Sequence, residues 1–153
     1  MQHIFFFIFL GITSSLFALL EIQIEGKDGW AAKLPTWRKP VNKGGILGFL
    51  ADPNQPRTGY HTYLWAFLFT ISHIVFLLTP WTIRKEIYVI SFYSLLTAVE
   101  DFLWFVFNPY YGIKKFKKGE IPWHTNWFLG VPQNYWINLP IGIILYLIGS
   151  GVI

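Results

Sequence analysis

Glu100 and Asp101 stand side by side in the stretch "AVEDFLWFVFNP" (residues 98–109), whose other side chains are almost all apolar. An ionised carboxylate in a bilayer interior costs about 2.5–3.5 kcal/mol even on lenient insertion scales, so such a residue marks a functional site whose partner has to be found. The chain offers few partners. Glu21 and Glu25 follow an apolar run near the N-terminus, His61 opens a second run, and His124 precedes the last. Carboxylates and imidazoles in this proportion are ligand chemistry for a divalent metal ion, with zinc, iron and manganese the candidates. A cation would also offset the desolvation of buried acids. The expected metal set is therefore Glu21, Glu25, His61, Glu100 and His124. Asp101 or Glu25 would be the spare carboxylate able to act as general base on a metal-bound water. The chain has no cysteine, which removes thiolate ligands, thiol nucleophiles and disulfides from consideration.

The signal is a constellation and not a spaced motif. There is no Glu-x-x-His pair, no His-Glu-x-x-His, no Gly-rich phosphate loop and no Ser-His-Asp order. Consecutive helical positions point about 100° apart, so Glu100 is expected to reach the ion directly. Asp101 would then hydrogen-bond a ligand or pair with Arg38. Glu21 and Glu25 share a face if the first helix runs through "EIQIE", and Gly26 offers a stop.

Plainer readings compete with the metal at every position. Glu100 and Asp101 could be ion-paired with Arg38 or Arg57 of a loop folded onto the bundle. Taken singly, His61 and His124 are interfacial histidines. His73 falls near mid-bilayer, where an interhelical hydrogen bond with Thr13, Ser14 or Ser15 is expected and a proton relay is the sharper alternative. His3 lies on the opposite side. The run "KKFKKGE" reads as a collar facing lipid head groups.

Helices in a membrane must position these groups. At 153 residues the chain is one domain, and 54% apolar, 20% aromatic and 13% charged residues are too greasy for a soluble globule of that size. A span needs roughly 20 apolar residues. Four segments are candidates: residues 3–20, 60–81, 86–110 and 135–153. The first lacks a basic leading region and a small-residue cleavage site, so it is read as a helix and not a leader. Pro80 and Pro109 stop the second and third. The fold class expected is an all-α integral membrane protein, a single four-helix domain over residues 1–153.

Residues 82–85 form a tight turn in this reading, making the second and third helices antiparallel neighbours. Residues 21–59 and 111–134 form two long loops on one side of the membrane. Their Trp30, Trp37, Phe49, Trp123, Trp127 and Phe128 argue for an interfacial lid. These loops hold ten Lys and Arg residues, among them Lys43, against Arg84 and Lys85 on the other side. The positive-inside rule places the loops in the cytoplasm and both termini outside. The alternation of spans also puts Glu21, Glu25, His61, Glu100, Asp101 and His124 on the same side.

The function expected from these residues is a membrane metalloprotein, in its enzymatic form acting on an amphipathic or lipidic substrate beneath the lid. The alternative is a non-catalytic accessory subunit whose buried acids are ion pairs. A channel or transporter is disfavoured because polar residues crowd one end. The expected surroundings are anionic lipid head groups and no nucleic acid, with the chain as a homo-oligomer or part of a larger membrane complex.

Overall fold

A computed structural model describes residues 1–40 and 55–153. Lys43 and Phe49 of the expected lid lie outside the described residues. Helix α1 (Gln2–Glu25) does run through "EIQIE" and ends at Gly26, whose N–H bonds Ile22 O at 2.9 Å. A two-residue antiparallel ribbon follows, β1 (Arg38–Lys39) with β2 (Arg57–Thr58), in the register Arg38 to Thr58. The ribbon brings Thr36 and Trp37 against the start of helix α2 (Gly59–Ser72), where Thr36 Oγ1 accepts the Tyr60 N–H at 2.8 Å. A 3₁₀ segment (His73–Leu77) continues α2.

Helix α3 (Ile83–Phe107) begins earlier than the hydropathy suggests, because Thr82 caps it by accepting from Lys85 N at 3.2 Å. The connection therefore occupies residues 78–82 instead of 82–85. Asn108 ends α3, and Pro109 cannot continue it. A second ribbon pairs β3 (Trp127–Phe128) with β4 (Val131–Pro132). The chain closes with α4 (Tyr135–Ser150), which ends on a left-handed Gly151.

Three helical stretches, Gln2–Glu25, Gly59–Leu77 and Ile83–Phe107, are long and apolar enough to cross a membrane. The fourth is shorter than expected. At 16 residues α4 rises about 24 Å. The apolar residues beyond it are cut off by the turn at Gly151, so hydropathy alone overstates its length.

Helix α3 is the hub, packed along α4 on one side and α1 on the other. Gly142 and Gly149, one heptad apart on α4, let the two backbones approach. A Cβ on Gly142 would sit 2.7 Å from Leu95, and one on Gly149 would sit 2.7 Å from the Tyr88 backbone. Small residues at such contacts are how helices pack when lipid supplies no hydrophobic drive. One buried cluster joins Phe6, Leu10, Phe17, Leu68, Leu96 and Tyr146 across all four helices. A second joins Ile22, Trp104 and Phe105 to Ile121 and Trp123 of the later loop, tying that loop onto the bundle end. Helix α2 stands apart: it makes few contacts with α3 and buries little of its length.

Candidate functional site

The last turn of α1 carries Glu21, buried at 5% exposure, and Glu25, four residues on. The chain then doubles back through Trp30 and Ala31, both at positive φ (44° and 52°). Such conformations cost non-glycine residues of order 1–3 kcal/mol and persist only when neighbours enforce them. The neighbours here are specific. Ala31 N–H donates to Glu25 Oε1 at 2.6 Å, the Arg38 guanidinium donates to Ala31 O, and the Trp30 indole N–H donates to Pro56 O at 2.8 Å. The turn lays the Trp30 ring flat on the His61 imidazole, 4.0 Å between centroids and 16° between planes.

His61 lies in the first turn of α2. Thr58 Oγ1 accepts its backbone N–H at 3.1 Å and lies 2.7 Å from its Nδ1, while Nε2 faces Glu25 Oε1 at 3.2 Å. From α3, Glu100 is 2% exposed and its carboxyl lies beside that of Glu21. Tyr60 Oη donates to Glu21 Oε1 at 3.2 Å. Asp101 points elsewhere, as the helical 100° step requires: it accepts from the Tyr135 hydroxyl and lies 3.4 Å from His124 Nε2. His124 is held in the later loop, its backbone N–H on Ile121 O and its carbonyl accepting the Trp127 indole N–H at 2.6 Å.

These groups surround a cavity of about 30 Å³ lined by Glu21, Glu25, His61, Glu100 and Asp101, with walls of Trp30, Trp65, Trp104, Phe105 and Trp123. That is room for one water or one ion. His124 is not among the lining residues but joins through Asp101. Three buried polar atoms of this neighbourhood have no hydrogen-bond partner: Glu100 Oε1, Trp104 Nε1 and His124 Nε2, whose approach to Asp101 lacks hydrogen-bond geometry. Buried polar groups are nearly always satisfied, so each orphan calls for an explanation such as a water or an ion. Among the described residues, no three of the acids and histidines converge closely enough to form a ready-made metal cage. They stand instead as three pairs: Glu21 with Glu100, Glu25 with His61, and Asp101 with His124.

The expected ion pair to Arg38 is not formed. Its guanidinium donates to the carbonyls of Ala31 and Thr36, the latter at 3.1 Å, because the β1 ribbon turns it toward the strained loop and away from α3. Among the described residues no lysine or arginine pairs with any of the four carboxylates; the two Lys–acid pairs are Lys33 with Asp28 and Lys117 with Glu120. His73 bonds Glu86 of α3 at 2.9 Å and Phe69 O, and not the α1 hydroxyls. His3 lies 2.5 Å from the Tyr146 hydroxyl. Of the lid aromatics, Trp30 and Trp123 line the cavity, whereas Trp37 and Phe128 are exposed.

Four further residues belong to the site. Thr58 and Tyr60 announce themselves only as the start of a helix, and Tyr135 only as the first residue of the last one. Trp104 lies one turn beyond Glu100. Outside the helices, Tyr111 packs on Trp104 and Trp123; burial raises its phenol above the ordinary value, with Asp28 and Glu25 adding to the rise.

The chain is predominantly helical, with three apolar helices long enough to cross a bilayer and an acid–imidazole cluster at one end of the bundle. No protein-family model matches the chain, and neither the curated proteins nor the solved structures hold a match to it.

Proposed function

We propose that the chain is a multi-pass membrane protein, its four helices crossing the bilayer, with a divalent-metal site near one face. The observation that carries this reading is the meeting of four carboxylates and the His61 imidazole around a cavity of about 30 Å³, with buried Glu100 Oε1 unpartnered and His124 Nε2 unpartnered on the far side of Asp101. No described lysine or arginine offsets the negative charge. A cation does so and gives the orphaned atoms a partner. Zinc, iron and manganese suit the oxygen and imidazole donors.

Because the groups stand in pairs, binding exchanges each acid–acid or acid–imidazole contact for a ligand bond and displaces protons. Glu100, Glu21 and His61 border the ion most directly, with His124 reaching it past Asp101. In a hydrolytic version, the metal polarises a water and Asp101 or Glu25 accepts its proton. The excess of Lys and Arg in the two long loops supports a cytoplasmic site, facing anionic head groups.

Elemental analysis of detergent-purified protein after exchange through metal-free buffer tests the reading. Near-integral metal per chain in the wild type, lost in both Glu100→Ala and His124→Ala, is expected. A wild type that carries none and cannot be loaded overturns it, and the acids then serve a partner subunit.

A further inference from the structure

At the end of the bundle opposite the acid–imidazole cavity, the 3₁₀ segment that continues α2 starts where His73 changes the hydrogen bonding. The His73 N–H turns to the carbonyls of Thr70 and Ile71 in place of Phe69 O, four residues back. The imidazole takes up that carbonyl instead, with Nδ1 2.6 Å from Phe69 O. Its other nitrogen crosses to α3, where Nε2 lies 2.9 Å from Glu86 Oε1, and the second Glu86 oxygen accepts the Trp81 indole N–H at 2.9 Å. One carboxylate thus joins the end of α2, the connection and the first turn of α3.

Both ring nitrogens therefore face oxygens that accept. A neutral imidazole carries one N–H and one lone pair, so it satisfies one of the two contacts and sets its lone pair against oxygen at the other. The imidazolium donates at both nitrogens and makes both contacts, one of them charge-assisted. Glu86 is the one charged group against the ring among the described residues. On α3, Lys85 is turned to Pro80 O at 2.9 Å and Arg84 to Gly149 O at 3.4 Å. Toward Ile74 and Val75, α1 turns the uncharged Gln2, Phe5 and Phe9, while its His3 meets Tyr146. The other neighbours of the imidazole are the rings of Phe69 and Phe76.

The pair is open to solvent protons, with the His73 and Glu86 side chains 24% and 20% exposed. Trp81, Arg84 and Lys85 beside it are the residue types that anchor a helix end at a membrane surface. Nothing else fastens this end of α2 firmly, since none of the residues His73–Leu77 is buried. Two turns back along α2, Tyr93 Oη of α3 donates to Trp65 O at 3.2 Å and holds the middle of the helix.

We propose that His73 and Glu86 form a proton-dependent latch: the doubly protonated imidazole holds the end of α2 on α3, and loss of one of its protons releases that end. The sign follows from the donors. The latch is closed on the acid side and opens as the pH rises past the titration of the imidazole, which lies near 6.5 for an ordinary histidine. The proposal stands apart from the metal reading, because neither residue belongs to the acid–imidazole cluster.

The chain has no cysteine, so Leu77→Cys and Ile144→Cys, both at exposed positions, place one spin label at the end of the α2 stretch and one on α4. Pulsed electron paramagnetic resonance on the whole protein in lipid nanodiscs reads the distance between them at about pH 5.5 and about pH 8.5, either side of an ordinary imidazole's titration. One narrow distance population is expected at the lower pH, with a second population growing at least several-fold at the higher. His73→Phe, which cannot donate, is expected to show that second population at both pH values. Glu86→Gln keeps the shape and removes the charge; its amide can accept from Nε2 or donate to it, so the pH dependence is expected to vanish. A wild-type distribution that is the same at both pH values overturns the latch. So does a pH-driven change that persists in Glu86→Gln or His73→Phe, which would belong to another group such as His3.

Discussion

The Thr58 hydroxyl holds His61 at two points, accepting its backbone N–H at 3.1 Å and meeting its Nδ1 at 2.7 Å. One short side chain thus caps a helix and orients an imidazole. In the tautomer that donates Nδ1–H to Thr58, the Nε2 lone pair is presented beside Glu25, the arrangement a metal-ligating histidine requires.

Thr58→Val removes both contacts at constant shape. Zinc affinity, read by competition with a chromophoric chelator, is expected to fall 10–100-fold, the usual cost of losing a ligand's hydrogen-bond partner. Loss of the cap costs about 1 kcal/mol of stability. Thr58→Ser restores both. Lower stability with unchanged zinc affinity would show that Thr58 serves the helix and not the ion.

At Gly29 the first long loop meets Trp123 of the second. A Cβ there would fall 2.2 Å from the Trp123 ring, at a φ of +60° that side chains rarely adopt. Gly29→Ala must push the loops apart, a strain of about 1–3 kcal/mol by analogy with overpacked cores. A thermal melt in detergent should shift down by several degrees, and Trp30, one residue on, should lose its stacking on His61. An unchanged Tm would mean that the loops do not lock together.

Gly142 sets the distance between α3 and α4. Gly142→Leu forces a side chain into Leu95 and the α3 backbone, 2.7 Å and 3.3 Å from the would-be Cβ. The expected result is a loss of stability of at least about 1–3 kcal/mol, whereas Gly11→Leu, with open space around it, should be silent. Equal behaviour of the two variants in a detergent melt contradicts the packing.

Acidification should release the metal. Ligand carboxylates and imidazoles must shed protons to bind, so zinc affinity falls as pH drops, and loading at fixed pH releases protons to the buffer. A pH-independent affinity between about pH 5 and 7.5, across the titration range of an ordinary imidazole, would exclude histidine from the ligand set.

Much of this architecture is legible in the residues because apolar runs and helical rise are strong signals. The stop at Pro109 follows from them directly, whereas α1 runs five residues past the apolar stretch 3–20 to Glu25. What hydropathy misses are local hydrogen bonds: Thr82 starts α3 three residues before its apolar run, and Gly151 ends α4 while the sequence is still apolar. The candidate site divides in the same way. Span alternation alone places Glu21, His61 and Glu100 at one end of the bundle. The turning of Arg38 onto Ala31, and the arrival of Tyr60 and Tyr135 at the acids, depend on ribbon and loop geometry that no spacing in the chain encodes.

X-ray absorption spectroscopy of the zinc-loaded protein reads whether the acids and histidines around the cavity bind one cation. Nitrogen and oxygen ligands at about 2.0–2.2 Å with imidazole scattering are expected, with loss of the imidazole signal in the double variant His61→Ala with His124→Ala. Zinc coordinated by water and oxygen alone, with the same spectrum in that variant, would contradict it.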